Sequence, residues 1–261
     1  MIIIEKELVN DIPILHVAQQ EQSNETLPLI IFHHGFTSAK EHNLHYAYLM
    51  AEKGFRVVLP DALLHGEREK DFSESRLMMH FWEIVIRSIN DLEVIKEEFL
   101  SRKLADSSKI GVAGTSMGGI ITLGALATHD WIAAAVSLMG NPAYVAYARQ
   151  QIEALKKFNV NVSLTEKEIE RQLDYISEYD LSMQREKLAG RPLLFWHGAK
   201  DPIVPSTGAQ DFYELIKPDY EQYKDKLSFI LDQGAGHKVS REGVLQTAEW
   251  FDRHLKQMQN A

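Results

Sequence analysis

Residues 111–120 read GVAGTSMGGI: one serine, closely flanked by glycines, directly after an apolar run. Glycine weakens both helices and strands, so Gly114, Gly118 and Gly119 around Ser116 need a reason. A sharp turn from a strand into a helix supplies one. At such a turn, a side chain two residues before or after the serine would collide with the turn or a neighbouring strand. The pattern G-T-S-M-G is then a nucleophile elbow, which holds the Ser116 hydroxyl above the carboxyl edge of a sheet. A helix beginning at Met117 would also point its free N–H groups and positive dipole end there. The rival readings are a Gly-rich packing turn and a phosphate loop. Neither G-x-G-x-x-G nor G-x-x-x-x-G-K-[ST] occurs, which weakens the second rival.

The surroundings of the elbow suit an α/β fold. Short apolar runs occur at LPLIIFHHG (27–35), FRVVLPDA (55–62), KIGVAGTS (109–116), AAAVSLMG (133–140), PLLFWHGAKD (192–201) and LSFILDQGAGH (227–237). Each leads into Gly, Pro or Asp, as parallel strands buried on both faces do. Helical spacing lies between them. Leu44, Ala47, Tyr48 and Ala51 form one stripe. Leu77, Phe81, Ile84, Val85, Ile89, Leu92, Ile95 and Phe99 form a longer one. Residues 117–128, 206–216 and 240–256 complete the series. Strand alternating with helix predicts a mostly parallel, doubly wound sheet with helices on both faces. IIIEKELV and IPILHVA, at the start, alternate like antiparallel edge strands.

One stretch breaks the rhythm. Between Gly140 and Arg191 there is no strand candidate but room for two or three helices. LTEKEIERQLDYI opens one of them. Thr165 can cap it, Glu168 can close a capping box, and Leu164 with Ile169 can form a hydrophobic staple. The chain therefore divides into an α/β core, 1–140 with 191–261, and a helical cap insertion, 141–190. The insertion carries Tyr144, Tyr147, Phe158, Tyr175, Tyr179 and Met183, which suit either a cap over the serine or a small core of its own.

The 261 residues are 45% apolar and 25% charged, as in ordinary globular proteins. With 28 Lys+Arg against 37 Asp+Glu the formal charge is −9, and no basic stripe is present, so nucleic acid is not an expected partner. There is no cysteine, which removes disulfides, thiolate metal sites and cysteine nucleophiles together. MIIIEKELVND lacks a signal-type apolar core, and no run approaches the length of a membrane span. A cytoplasmic protein with no membrane partner is the expectation. No internal repeat is visible.

A serine hydroxyl needs a base, and the base needs a carboxylate to set its tautomer. In an elbow fold the chain order is serine, acid, histidine. Asp201 follows a strand directly in HGAKDPIVP, and His237 follows the last strand in QGAGH. Both fall on carboxyl-end loops, where catalytic groups of open α/β sheets gather. Asp232 is the rival acid, ahead of a longer loop. His197 and His254 are better read as structural, and His129 as a surface residue near a helix end. The attacked oxygen also needs donors. One would be the Met117 N–H. The other would be the Phe36 N–H in HHGFTS, unless His34-Gly35 merely ends the strand. The expected substrate pocket comprises His34, Gly35, Phe36, Met117, Tyr144 and Tyr147. Asp61, His65 and Arg68 read as a loop at its rim. His33, His34, His42, His45 and His65 raise the question of a metal, but no H-E-x-x-H signature appears and no metal is expected.

From IIFHHGF through GVAGTSMGG and HGAKDPIVP to GAGH, the chain resembles the α/β-hydrolase superfamily over nearly its whole length. Within it, the chain is similar to small bacterial serine esterases of the YitV and YjfP type, near the dienelactone-hydrolase and prolyl-oligopeptidase-like branch. The resemblance implies a serine carboxylic-ester hydrolase with a triad of Ser116, Asp201 and His237, backbone donors at Phe36 and Met117, and no cofactor. LPDALLHGER matches a loop where the family often carries Asp and His-Gly. Dienelactone hydrolases use a cysteine nucleophile, which this chain lacks. The expected activity is hydrolysis of a small-molecule ester. The alternatives are a peptidase or thioesterase with the same triad, and a non-catalytic binding module; the compact chain argues against an oligopeptidase. Nothing in the sequence sets the oligomeric state.

Overall fold

The computed structural model describes residues 1–157 and 165–256. Each apolar run predicted as a parallel strand forms one. They are β3 (Leu27–His33), β4 (Arg56–Pro60), β5 (Ala105–Thr115), β6 (Ala134–Leu138), β7 (Leu193–Gly198) and β8 (Leu227–Asp232). Two further strands, β1 (Ile2–Val9) and β2 (Ile12–Gln19), pair antiparallel through a tight turn. Asn10 occupies the left-handed region there at φ 53°, a conformation Asn tolerates well. The eight-stranded sheet has the order β1-β2-β4-β3-β5-β6-β7-β8. β2 lies antiparallel to β4, and every later neighbour pair is parallel.

One expectation about the N-terminus needs correction. β1 is an edge strand, but β2 is interior and buried along nearly its whole length. Its side chains meet apolar partners on both faces. Ile12 and Ile14 join one core cluster, while Leu15 and Val17 join the other. The buried Arg56 guanidinium ties this edge together. It donates to the carbonyls of Leu104, Ser23 and Glu25, each at 2.9 Å.

The helices are α1 (Leu44–Glu52), α2 (Glu74–Met79), α3 (Phe81–Ser101), α4 (Met117–Thr128), α5 (Tyr144–Lys157), α6 (Glu166–Ser177), α7 (Thr207–Ile216) and α8 (Arg241–Phe251). The single stripe read over Leu77–Phe99 is two helices. The backbone leaves helical geometry at His80, and Ser73 caps the short, exposed α2 separately. α1 and α8 cover one face of the sheet, while α3, α4 and α7 cover the other. Among the described residues no helix is long and apolar enough to cross a membrane.

The 141–190 stretch holds α5, α6 and two 3-10 turns, Leu181–Met183 and Arg185–Leu188. Thr165 and Glu168 form the capping box in both directions. Leu164 of the expected staple and Phe158 lie outside the described residues. Tyr144, Ile169, Leu173, Ile176, Leu181 and Leu188 share the core cluster of α3 and α4. The insertion is therefore packed onto the sheet's own core. Asp180 fastens it by accepting from the Val145 and Ser182 N–H groups, both at 2.9 Å.

Several histidines are buried neutral inside this frame. Burial pulls His33 down to about 3 and His34 down to about 4, against an ordinary imidazole near 6.5. Neither ring nitrogen of His33 has a partner among the described residues. The unfolded chain binds protons near pH 6.5 that the native chain refuses. The stability these groups confer is therefore complete above that pH and drains away as pH falls toward 3 to 4. The unfolding free energy should drop between pH 6.5 and 4, each such histidine contributing up to about 1.4 kcal/mol per pH unit. Urea titrations across this range should show a shallower slope for His33→Met than for the parent. An unchanged slope would contradict the assignment to His33.

Candidate active site

Ser116 sits between β5 and α4 with φ 56° and ψ −114°. A non-glycine residue in that region is strained, so its surroundings must hold it. The Ser116 N–H donates to the Leu138 carbonyl at 2.7 Å, and the Ser116 carbonyl accepts from Ile120 N–H at 2.9 Å. The glycines allow the close approach. A side chain at Gly114 would run into the Gly118 backbone, and one at Gly118 into the His33 carbonyl. α4 can start against β3 and β5 only without those side chains.

The other two side chains arrive from the ends of β7 and β8. The loops that carry them are joined by backbone bonds: Ala199 N–H to the Asp232 carbonyl at 2.9 Å, and Lys200 N–H to the Ala235 carbonyl at 3.0 Å. A side chain at Gly198 would strike the Gly236 carbonyl, so the crossing again requires glycine. Asp201 is fully buried at its carboxylate. Its Oδ1 accepts from the N–H groups of Ile203 at 2.9 Å and Val204 at 3.0 Å. Its Oδ2 lies 2.7 Å from His237 Nδ1, and His237 Nε2 lies 2.8 Å from Ser116 Oγ. A carboxylate only accepts, so Nδ1 carries the proton and Nε2 is free to accept from the serine hydroxyl. The rival acid, Asp232, accepts from Gly234 N–H at 3.0 Å instead. His197 donates to the Val204 carbonyl at 2.8 Å, and His129 to the Ile89 carbonyl at 2.9 Å, which occupies both in the frame.

Facing the serine is the loop after β3. Gly35 lies against it, with room for a Cβ 3.5 Å from Ser116 Cβ. The backbone N–H groups of Phe36 and Met117 donate to nothing among the described residues. Two histidines brace this loop against residues 61–68. His34 Nε2 accepts from Ala62 N–H at 3.0 Å, and His65 Nε2 accepts from Thr37 N–H at 3.1 Å. Their Nδ1 atoms donate to the carbonyls of Gly35 and Leu63. Burial lowers both pKa values, which keeps the rings neutral and the accepting nitrogens bare. The 61–68 loop is held in turn by the buried Asp61. That carboxylate accepts from Lys40 Nζ at 2.5 Å and from Glu67 N–H at 2.9 Å. Gly66, at φ 53°, leaves room for it.

These contacts revise the expected pocket lining. His34 is fully buried and serves as a brace. The Met117 side chain is core, so only its backbone faces the serine. Tyr144 is also fully buried, its hydroxyl donating to the Ile120 carbonyl at 2.5 Å, which pins the insertion to α4. Gly35 and Phe36 stay partly exposed. Sequence reasoning missed Trp82 and read Phe81 only as core. Phe36 meets Phe81 edge-on at 5.7 Å, Phe81 meets Trp82 at 5.3 Å, and Trp82 meets Tyr147 at 6.4 Å. This aromatic arc runs from the β3 loop to the insertion, and Trp82 Nε1 also donates to Gln151 at 3.0 Å. Helical periodicity marks which face of α3 is apolar. It carries no sign of which end lies beside the serine.

Among the described residues, one set of acid and histidine side chains stands close enough to hold a metal ion: Glu5, Glu7 and His16 on the β1–β2 hairpin. Arg102 pairs with Glu7, and His16 Nδ1 lies 2.6 Å from Glu7 Oε1, so internal bonds engage two of the three.

An elbow serine, a histidine and a buried aspartate on a mostly parallel sheet define a serine hydrolase of the α/β-hydrolase fold. Comparison with known proteins narrows the class. The chain belongs to the prolyl oligopeptidase family, whose model matches residues 41–258. It is 50% identical to the candidate esterase YitV of Bacillus subtilis (strain 168), over 98% of this chain and 100% of that one. It is 30% identical to the esterase YjfP of Escherichia coli (strain K12), over 98% and 100%. Among solved structures, TT1662 from Thermus thermophilus superposes with a TM-score of 0.73 at 20% identity, covering 98% of this chain and 99% of that one.

The His65 brace makes a separable prediction. Where the Phe36 N–H is a donor to the developing oxyanion, His65→Leu should lower kcat about tenfold with little change in KM, since that interaction is strongest in the transition state. Steady-state kinetics with the substrates named below measure this, and His65→Gln, which restores an acceptor, should recover part of the loss. A change confined to KM would contradict it.

Proposed function

We propose that this serine hydrolase cleaves small carboxylic esters through an acyl-enzyme on Ser116. The observation that carries the reading is the single imidazole of His237, within hydrogen-bond distance of both Ser116 Oγ and Asp201 Oδ2. His237 takes the hydroxyl proton as Oγ attacks the ester carbon. Asp201 keeps the ring in the correct tautomer and stabilises the imidazolium. The carbonyl oxygen becomes an oxyanion between the N–H groups of Phe36 and Met117. His237 then protonates the departing alcohol. Water enters, gives its proton to the same nitrogen, and its oxygen attacks the acyl carbon. The carboxylic acid leaves and Ser116 recovers its proton. No step calls for a cofactor.

The substrate lies in the space bounded by Gly35, Phe36 and the aromatic arc ending at Tyr147. The 141–190 insertion acts as the cap that closes one side. Apolar walls of this kind suit short acyl chains, and the unpaired donors suit a developing oxyanion.

A series of p-nitrophenyl esters of increasing acyl length tests the reading. Acetate and butyrate should turn over faster than long-chain esters, and Ser116→Ala should lower kcat at least about a thousandfold. Faster turnover of peptide anilides or acyl thioesters than of esters would favour those chemistries on the same triad. No turnover of any of the three would favour a binding module.

A further inference from the structure

A cavity lies beside the loop that carries Asp201. It is a cleft of about 400 Å³ between the insertion and α7. Asn141, Tyr147 and Ser182 line it from one side, and Gly208, Asp211 and Phe212 from the other. Ser116, Met117, His237 and Phe36 contribute nothing to its walls. Pro205, on the loop that also carries Asp201, forms part of the boundary.

Two polar groups there have no role in the catalytic reading. The first is Asn141, only 6% exposed. Its Oδ1 accepts from Ala143 N–H at 2.9 Å, but its Nδ2 donates to nothing among the described residues. Gly208 is what leaves that amide uncovered, since a Cβ at 208 would stand 2.8 Å from Nδ2. That nitrogen is not sealed from water, so it is a donor open to the cleft that a ligand carbonyl can take up. The second is Asp211, an exposed carboxylate that pairs with no cation among the described residues. Gly208, Asp211, Phe212 and Leu215 share one face of α7, and the Asn141 amide lies against Gly208. Tyr147 and Phe212 supply the apolar surface.

We infer that this cleft binds a small primary ammonium compound that carries a carbonyl oxygen. The ammonium meets Asp211, the carbonyl accepts from Asn141 Nδ2, and the hydrocarbon part rests on Tyr147 and Phe212. An anion is disfavoured by Asp211, and a plain hydrocarbon leaves Asn141 unpaired. The cleft shares Tyr147 with the proposed ester pocket but none of the triad, so binding there is read in the Ser116→Ala chain apart from ester turnover.

The test is calorimetric titration of the full chain carrying Ser116→Ala, which excludes turnover. The probes are L-leucinamide, 3-methylbutylamine, which lacks its carbonyl, and 4-methylpentanamide, which lacks its ammonium. L-Leucinamide should bind most tightly of the three. Adding Asp211→Asn should weaken L-leucinamide about tenfold and leave 4-methylpentanamide unchanged. Adding Asn141→Asp keeps the acceptor for Ala143 N–H but removes the donor, so the preference for L-leucinamide over 3-methylbutylamine should disappear. Melting curves show whether each variant is folded before titration. Absence of saturable L-leucinamide binding, or equal affinity in the parent and both folded variants, would overturn the inference.

Discussion

The structure turns on how closely the first turn of α4 approaches the ends of β3 and β5. Ser116 can hold φ 56° only because the helix starts directly against the sheet, with its N–H fixed to Leu138. Gly118 against the His33 carbonyl, and Gly114 against Gly118, leave no space for a Cβ. A wider turn would relax the serine into an ordinary backbone and lower its hydroxyl toward the sheet. Every other part of the site is arranged around that fixed point.

Two pairs of cross-linked loops complete it. The β7 and β8 loops are joined by backbone bonds, and so bring Asp201 and His237 to the serine as one unit. The β3 loop is joined to residues 61–68 through His34 and His65, which holds Gly35 against the serine. Both braces use a neutral imidazole as acceptor, so burial of those rings is part of how the site is held. The same burial makes the fold sensitive to acid. Stability and site geometry are thus linked through one set of histidines.

Much of this is legible in the sequence, for identifiable reasons. Parallel strands buried on both faces read as unbroken apolar runs, and the glycines around Ser116 mark a tight strand-to-helix turn. Asp201 and His237 stand out because each directly follows such a run. Other features are set by tertiary packing, which pattern alone does not record. β2 reads as an alternating edge strand because His16 breaks its apolar run, yet that histidine is buried with its neighbours. Tyr144 reads as a pocket residue, yet its hydroxyl is used to pin the insertion to Ile120. Phe81 and Trp82 carry ordinary helix-stripe chemistry, and only the fold brings that end of α3 beside Phe36. Asn141 is inconspicuous until Gly208 is seen to lie against its amide.

The central claim is that the hydroxyl of Ser116 is activated by His237. Its most direct test is covalent labelling with a fluorophosphonate, followed by mass spectrometry of the intact chain and its peptides. The parent should take up one phosphonyl group, located on the peptide containing Ser116, and His237→Ala should slow that uptake at least about a hundredfold. Labelling at another residue, or at an equal rate in His237→Ala, would contradict the account.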